Sequence, residues 1–359
     1  MDFGLSEEQE LLQATVRQFV SRECPPAKLR DHFESAEDRS PLLWRGLAEL
    51  GVAGLVVPES QGGAGLALLD LALVAEVLGH GALPGPFLGH SLAALALTLA
   101  GSPEQQRRWL PRLAAGELLG SVAFAEDEGG GWQPEDWTTK AEATASGVKR
   151  WVPAAPEADL LVVGVAGGRL ALVERGAQGV RTEPMAGVDR TRRAGRVTLD
   201  GAPCELLPGG AVAAPRLRDA ALVLLAADAF GGASRCLELS VAYANTREQF
   251  GVTIGHFQAL KHQLANMALE VEPSRALYWF AAHAFDREPA AAERAAALAK
   301  AHLADAFMQV ARDTVEAHGG IGYTWECDVQ IWFKRALFDR AFCGAPDVHR
   351  ERAAKLAGW

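Results

Sequence analysis

Ala220-Ala221-Leu222-Val223-Leu224-Leu225-Ala226-Ala227-Asp228-Ala229-Phe230 opens a run to Tyr243 that is apolar on nearly every side. A surface helix carries one apolar stripe, whereas a helix apolar all round is buried on most of its faces. Helical spacing returns over Leu298–His318 and Val329–Ala341, so the chain from Arg216 onward reads as a four-helix-like bundle that buries this segment.

Upstream the texture changes. Val148–Val152 and Leu160–Val165 read as strands, and Ala166-Gly167-Gly168 turns the second into Leu170–Glu174 as a hairpin. Val197-Thr198-Leu199, followed by Asp200-Gly201, reads as a further strand and turn. Residues 119–212 are expected to form a β domain, a small barrel or sandwich. Before it, helix punctuation dominates. Ser6-Glu7-Glu8-Gln9 is a capping box ahead of Leu12, Val16, Phe19 and Val20 at helical spacing. Ser40-Pro41 and Ser102-Pro103 each offer a cap with proline at the first helical position, and Gly51 closes the helix opened at Ser40. Gly62-Gly63-Ala64-Gly65 makes a loop before a helix rich in Leu and Ala. The expected organisation is α+β: a helical domain over residues 1–118, a β domain over 119–212 and a helical bundle over 213–359.

The length of 359 residues gives room for two or three cores. The longest apolar run, Ala220–Ala227, is less than half of the roughly 18–20 uncharged residues that span a bilayer. The acidic start, Met1-Asp2-Phe3-Gly4-Leu5-Ser6-Glu7-Glu8, shows no basic n-region of a signal peptide, and the expectation is a soluble cytoplasmic protein. The five cysteines are scattered without a CxxC pair, which suits a reducing compartment and supplies no metal framework. Net charge is −10, with the two signs interspersed, which argues against a nucleic-acid coat. An anionic cofactor remains compatible, because a few placed arginines hold a pyrophosphate locally.

Two constellations carry chemistry. The first is Thr246-Arg247-Glu248-Gln249-Phe250-Gly251, continuing to Ile254-Gly255-His256-Phe257-Gln258. An arginine at a helix end beside Phe-Gly can pair a phosphate while the ring packs on an adenine or ribose. The second is His318-Gly319-Gly320-Ile321-Gly322-Tyr323-Thr324-Trp325-Glu326, whose paired glycines let backbone approach a phosphate or sugar closely. Taken singly, each also reads as a helix C-cap with a surface arginine, or as a plain glycine turn.

In this order, with Ser-Glu-Glu-Gln-Glu-Leu-Leu at the start and Val57-Pro58-Glu59-Ser60-Gln61-Gly62-Gly63-Ala64-Gly65 between, the chain resembles the acyl-CoA dehydrogenase family along nearly its whole length. The resemblance implies helical, β and four-helix-bundle domains, a dimer or dimer of dimers, and FAD held between the β domain and two bundles. It implies that Arg247, Phe250, Gln258, Gly319 and Gly320 reach the FAD of a neighbouring subunit, with Glu316 standing where the family places a glutamine near the same cofactor. Gly147-Val148-Lys149-Arg150-Trp151-Val152 is similar to the family's GxKxWI strand, which puts Trp151 against the flavin ring. A tryptophan on a strand is equally at home in a core, and both readings of Trp151 stand.

Departures from the family gather on the side of the site that a subunit builds for itself. Removing the α-proton of a thioester requires a carboxylate held near Cα. The family's two places for that glutamate correspond here to Gly344 and Ala221, neither of which takes a proton. The TEPxAGSD-like loop is Ala125-Glu126-Asp127-Glu128-Gly129-Gly130-Gly131-Trp132, and the hydroxyl expected after the WI pair is replaced by Pro153. Asp228 shares a helix face with Ala221 and Leu225. It is a candidate replacement base, against the reading of a buried structural hydrogen bond to a neighbouring helix; a carboxylate there must be hydrogen-bonded, or protonated with a raised pKa.

This pattern, with Thr191-Arg192-Arg193-Ala194-Gly195-Arg196-Val197, resembles the actinobacterial-type α2β2 branch, in which one subunit carries the glutamate and the other lacks it. Several members of that branch act on CoA esters of steroid side chains. The expected function is therefore α,β-dehydrogenation of an acyl-CoA, with FAD completed for a glutamate-bearing homologous partner and electrons passed to an electron-transfer flavoprotein. The rival readings are a self-sufficient homotetramer with a non-standard base, and a catalytically dead flavin-binding or structural homologue.

Overall fold

The computed structural model of the protein describes residues 4–34, 40–126 and 131–359. The first third is helical. Helix α1 (Glu7–Glu23) begins on the expected capping box: the Ser6 hydroxyl accepts the Gln9 N–H at 3.2 Å, and Gln9 Oε1 accepts the Ser6 N–H at 3.1 Å. A short helix that the sequence reading passed over follows, α2 (Pro26–Glu34). Proline at its first position removes an N–H that a helix start leaves unpaired in any case, so Pro25-Pro26 is an entry rather than a loop. Then come α3 (Ser40–Glu49), α4 (Leu68–His80), α5 (Phe87–Ala100) and α6 (Pro103–Ala114). Ser102 and Gln105 repeat the capping box at the start of α6.

The middle segment is a sandwich rather than a barrel. Its strands are β1 (Gly120–Ala123), β2 (Lys140–Ala141), β3 (Thr144–Pro153), β4 (Leu160–Val165), β5 (Arg169–Glu174), β6 (Val180–Met185), β7 (Ala194–Pro203) and β8 (Glu205–Leu206). One sheet runs β1-β4-β5-β8 and the other β2-β3-β7-β6. The pair β1–β4 is parallel and the remaining pairs are antiparallel. Leu161, Val163, Val165, Ala171 and Val173 of the first sheet share a dry core with Ala145, Val152, Val197, Leu199 and Ala202 of the second. Alternation along β3 and β7 places one face of their sheet in this core.

The turn read at Asp200-Gly201 is instead a bulge within β7. Leu199 pairs with Gly147 and Ala202 with Ala145, so Asp200 and Gly201 together oppose Ser146, whose Oγ accepts the Gly201 N–H at 3.1 Å. Gly201 supplies the φ of +63° that the extra residue needs.

The last part holds α7 (Gly210–Thr246), a small hairpin of β9 (Glu248–Gln249) and β10 (Val252–Thr253), then α8 (Gln258–Val271), α9 (Arg275–Arg287), α10 (Pro289–Ala317), α11 (Val329–Ala341) and α12 (Pro346–Leu356). Pro273 breaks what would be one helix into α8 and α9. The alanine-rich α10 lies at the centre of the bundle, packed by α8, α9, α11 and α12. Helix α7 is long and apolar enough to cross a membrane by length and composition, but 83% of its most apolar stretch is buried within the protein. It is a core helix, as its all-round apolarity requires.

Contacts divide the chain into two compact units. One comprises Met1–Ala36, Ala72–Leu83 and Val223–Trp359, and the other Glu37–Leu71 and Pro84–Leu222.

Candidate active site

In the bundle unit, the two motifs singled out in the sequence begin where α7 and α10 end side by side. Ser240 Oγ donates to Thr314 Oγ1 at 3.1 Å, and Thr314 Oγ1 also reaches the Cys236 carbonyl at 3.2 Å. One turn further on, the Tyr243 and His318 rings stack with centroids 4.4 Å apart and planes 22° from parallel. His318 Nδ1–H donates to the Thr314 carbonyl at 2.7 Å. Burial lowers the His318 pKa, and the bond to Thr314 opposes it only in part.

Arg247 follows Tyr243 by one turn, its N–H donating to the Tyr243 carbonyl at 2.8 Å. Its guanidinium is exposed and has no ion-pair partner among the described residues. Strands β9 and β10 then pair Gln249 with Val252, so Phe250 and Gly251 are the two residues of the turn. Their φ values, +57° and +79°, are those of a type I′ hairpin, a geometry that favours Asn-Gly and penalises a bulky first residue. The Phe250 ring is 93% exposed and stands edge-on to Phe257, with centroids 6.0 Å apart. A strained backbone that presents an aromatic ring to water is the kind of cost retained at a binding surface. Gln258, the first residue of α8, is exposed nearby in sequence.

On the other helix end, Glu316 is exposed on the last turn of α10. Gly319 has φ +61°, and a Cβ added to it or to Gly320 would meet no atom within 4 Å. Tyr323 lies beyond them, 77% exposed. The structure thus gathers Arg247, Phe250, Gln258, Glu316, Gly319 and Gly320 at one end of the bundle, with donors, rings and open backbone turned outward.

Trp151 lies in the other unit, on β3. Lys149 pairs with Val197 and Val152 with Gly195, so Arg150 and Trp151 together oppose Arg196 in a bulge. Trp151 takes φ +53° and is half-buried, outside the sandwich core. A bulge of this kind re-aims a side chain out of the regular alternation. Pro153 ends the strand, and its carbonyl accepts a hydrogen bond from Ser121 Oγ.

The sequence reading missed an ion pair beside this strand. Lys149, with its side chain wholly buried, donates to Glu126 Oε1 at 2.6 Å and to the Phe124 carbonyl at 3.1 Å. Glu126 also accepts from the Thr138 N–H (2.7 Å), the Thr138 hydroxyl (2.6 Å) and the Thr139 N–H (2.9 Å). Burial alone would raise the Glu126 carboxyl, but Lys149 and the threonines outweigh it and hold it at about 2. Burial likewise pushes Lys149 down to about 8 against the pull of Glu126. Both groups were in view, Lys149 within the GxKxW pattern and Glu126 in the Ala125–Trp132 loop; only their 23-residue separation hid the pairing. Asp127, Glu128, Gly129 and Gly130 of that loop lie outside the described residues, as do Met1–Phe3 of the N-terminal reading.

The positions expected for a base are inert. Ala221 is fully buried in α7. Gly344 sits at φ +105°, after Cys343 at +61°, a backbone that L side chains rarely adopt. Asp228 is taken at both oxygens: Arg335 Nε donates to Oδ1 at 2.8 Å and Nη2 to Oδ2 at 2.6 Å, while Arg335 Nη1 reaches the Leu83 carbonyl at 3.3 Å. Asp228 is thus held in a buried ion pair with a neighbouring helix.

The helical–β–helical chain, with Arg247, Phe250 and the paired glycines facing outward at one bundle end, is that of a flavin-dependent oxidoreductase acting on CH–CH bonds. Residues 6–117 match the family description "Acyl-CoA dehydrogenase, N-terminal domain" and residues 212–357 "Acyl-CoA dehydrogenase, C-terminal domain", and the chain belongs to this family. It is similar to acyl-CoA dehydrogenase IpdE2 of Mycobacterium tuberculosis, 36% identical over 92% of this chain and 91% of that protein. It is similar in structure to the Tcur3481-Tcur3483 steroid ACAD G363A variant, with a TM-score of 0.90, 32% identity and 98% of each chain covered. It is also similar to a chain in the structure of the ChsE4-ChsE5 complex from Mycobacterium tuberculosis, with a TM-score of 0.91 and 28% identity, covering 100% of this chain and 99% of that one.

FAD is the cofactor of this family. The open space at Gly319 and Gly320, the exposed Arg247 without an ion-pair partner among the described residues and the outward Phe250 ring fit such a group. Arg247 would hold its pyrophosphate, with Phe250 and Gln258 against the nucleotide and the paired glycines against backbone-accessible oxygens. FAD, when bound, supplies the hydride acceptor.

Proposed function

We propose that this chain is the glutamate-lacking subunit of an α2β2 acyl-CoA dehydrogenase that acts on steroid side-chain CoA esters. It completes the FAD site of a homologous, glutamate-bearing partner, and its assembly works in the cytoplasm and passes electrons to an electron-transfer flavoprotein. One observation carries this reading. Arg247, Phe250, Gln258, Gly319 and Gly320 all face outward, while both base positions hold residues that take no proton and Asp228 is closed by Arg335. A site with contacts and no base serves chemistry done by another chain. The heteromeric steroid dehydrogenase and the two-component complex among its structural relatives support this assignment.

Co-expression with a glutamate-bearing homologue tests it. The expected product is a yellow, equimolar complex, with the chain alone holding little flavin. A yellow homotetramer active without a second chain would establish the self-sufficient enzyme instead. A colourless chain that recruits no partner would establish a dead homologue.

A further inference from the structure

His318 and Tyr243 belong to neither motif's cofactor-contacting set, yet His318 directly precedes the paired glycines and Tyr243 lies one turn before Arg247. Gly319 is the next residue after His318, and the Arg247 N–H is bonded to the Tyr243 carbonyl. Their rings stack at 4.4 Å, and the Ser240–Thr314 bond ties the same two helices one turn earlier. The donation from His318 Nδ1–H to the Thr314 carbonyl fixes the imidazole's tautomer and ring plane, and the lowered pKa keeps it neutral for stacking. Beyond this point the outward parts of both motifs enter open space: Phe250 is solvent-exposed, and a Cβ on Gly319 or Gly320 would meet no atom within 4 Å. The Tyr243–His318 stack is thus a contact between α7 and α10 directly ahead of both motifs, and it bears on how far apart Arg247 and the glycine turn start.

We infer that Tyr243 and His318 are a positioning pair for the cofactor site, holding the Arg247–Phe250 hairpin and the Gly319–Gly320 turn at the separation that one nucleotide must bridge. The inference rests on the proposed FAD role of those motifs. A cofactor gripped from two sides loses affinity when the two sides drift, because fixing them then falls to the binding event itself. An aromatic stack of this kind contributes about 0.5–1.5 kcal/mol, or roughly three- to tenfold in a binding constant.

The test is FAD titration, followed by flavin fluorescence, of the full chain in complex with a glutamate-bearing homologue. Tyr243→Ala and His318→Ala should each weaken FAD binding about tenfold, whereas Tyr243→Phe and His318→Phe, which keep a ring in the stack, should stay within about threefold of the parent. Phe307→Leu serves as the structural control, since Phe307 seats against Gly232 about three turns up the same two helices. It should lower the melting temperature and leave FAD affinity unchanged. If Phe307→Leu loses FAD as the alanine variants do, the stack acts only through stability and the inference is overturned. Loss of FAD in Arg247→Ala but not in Tyr243→Ala or His318→Ala overturns the inference alone. Full FAD affinity in Arg247→Ala overturns the proposed site and the inference with it.

Discussion

Arg335 of α11 closes on Asp228 of α7 with two parallel bonds, 2.8 and 2.6 Å, and neither side chain reaches solvent to any useful extent. The two residues are 107 apart in sequence, so the pair fastens α11 to the buried α7. Removing one partner from such a pair strands a buried charge, at a cost of ~3–5 kcal/mol. Asp228→Asn should therefore lower the melting temperature markedly while FAD content and activity per folded molecule persist. The double variant Asp228→Leu with Arg335→Met, which removes both charges, should recover most of the loss in urea denaturation. A stable but wholly inactive Asp228→Asn would restore Asp228 as the base.

Arg247 is exposed and has no ion-pair partner among the described residues, so its loss should cost the fold little. Charge-assisted bonds to a phosphate contribute ~1.5–3 kcal/mol, or about one to two decades in affinity. Arg247→Ala should release FAD from the complex by that factor, with an unchanged urea midpoint. Parent-like flavin occupancy after gel filtration would take Arg247 out of the site.

At Phe250, stability and binding are expected to part company. Asparagine accepts the φ of +57° that phenylalanine adopts here only under strain. Phe250→Asn should raise stability by ~1 kcal/mol and at the same time weaken FAD retention or partner assembly. If thermal melts show the variant less stable than the parent, the strain argument fails.

Glu126 gives the β unit a pH signature. Its carboxyl lies near 2 when folded, below its ordinary 4.5, so the unfolded chain binds the proton first. That contribution is fully present above about 4.5 and is lost as pH falls toward about 2. Thermal melts between those limits should show the parent losing stability more steeply than Glu126→Gln. Parallel curves would mean that the Lys149–Glu126 pair does not set acid stability.

What was legible in the sequence was what neighbouring residues decide. Ser6 with Gln9, and Ser102 with Gln105, announce their helices because both halves of the capping box lie within one turn. The RxxFG and GGxGY motifs placed Arg247 and Gly319 correctly at helix ends for the same reason. The Asp200-Gly201 turn was misread because only the strand across from it, at Ser146, decides between turn and bulge. The partner of Asp228 and that of Glu126 lie on other elements, and no periodicity marks Arg335 or Lys149 as theirs. Backbone conformation was hidden in the same way. Gly344 reads as an ordinary glycine, and only its φ of +105° shows that the chain has moved away from what a side chain needs there.

That conformation sharpens the expectation for the missing base. Hydride leaves Cβ of a thioester only as the α-proton departs, and positioned bases contribute about 10²–10⁴-fold to such steps. With Gly344 and Ala221 at the two base positions and Asp228 held by Arg335, the purified chain should show no bleaching of FAD by acyl-CoA under anaerobic mixing. Bleaching should accompany only the complex with a glutamate-bearing partner, and replacing that partner's glutamate with glutamine should abolish it. Restoring the base within this chain should fail at both positions, for different reasons. Gly344→Glu demands a side chain at φ +105°, costing ~1–3 kcal/mol of backbone strain and pulling the carboxylate off line. Ala221→Glu places a carboxylate where the methyl is fully buried, which calls for a partner that the alanine never required. Both variants should lose stability and gain no activity. Turnover by either variant in the absence of a second chain, with the parent silent, would show that a substrate pocket survives here and would make this subunit a disabled enzyme rather than a completing one.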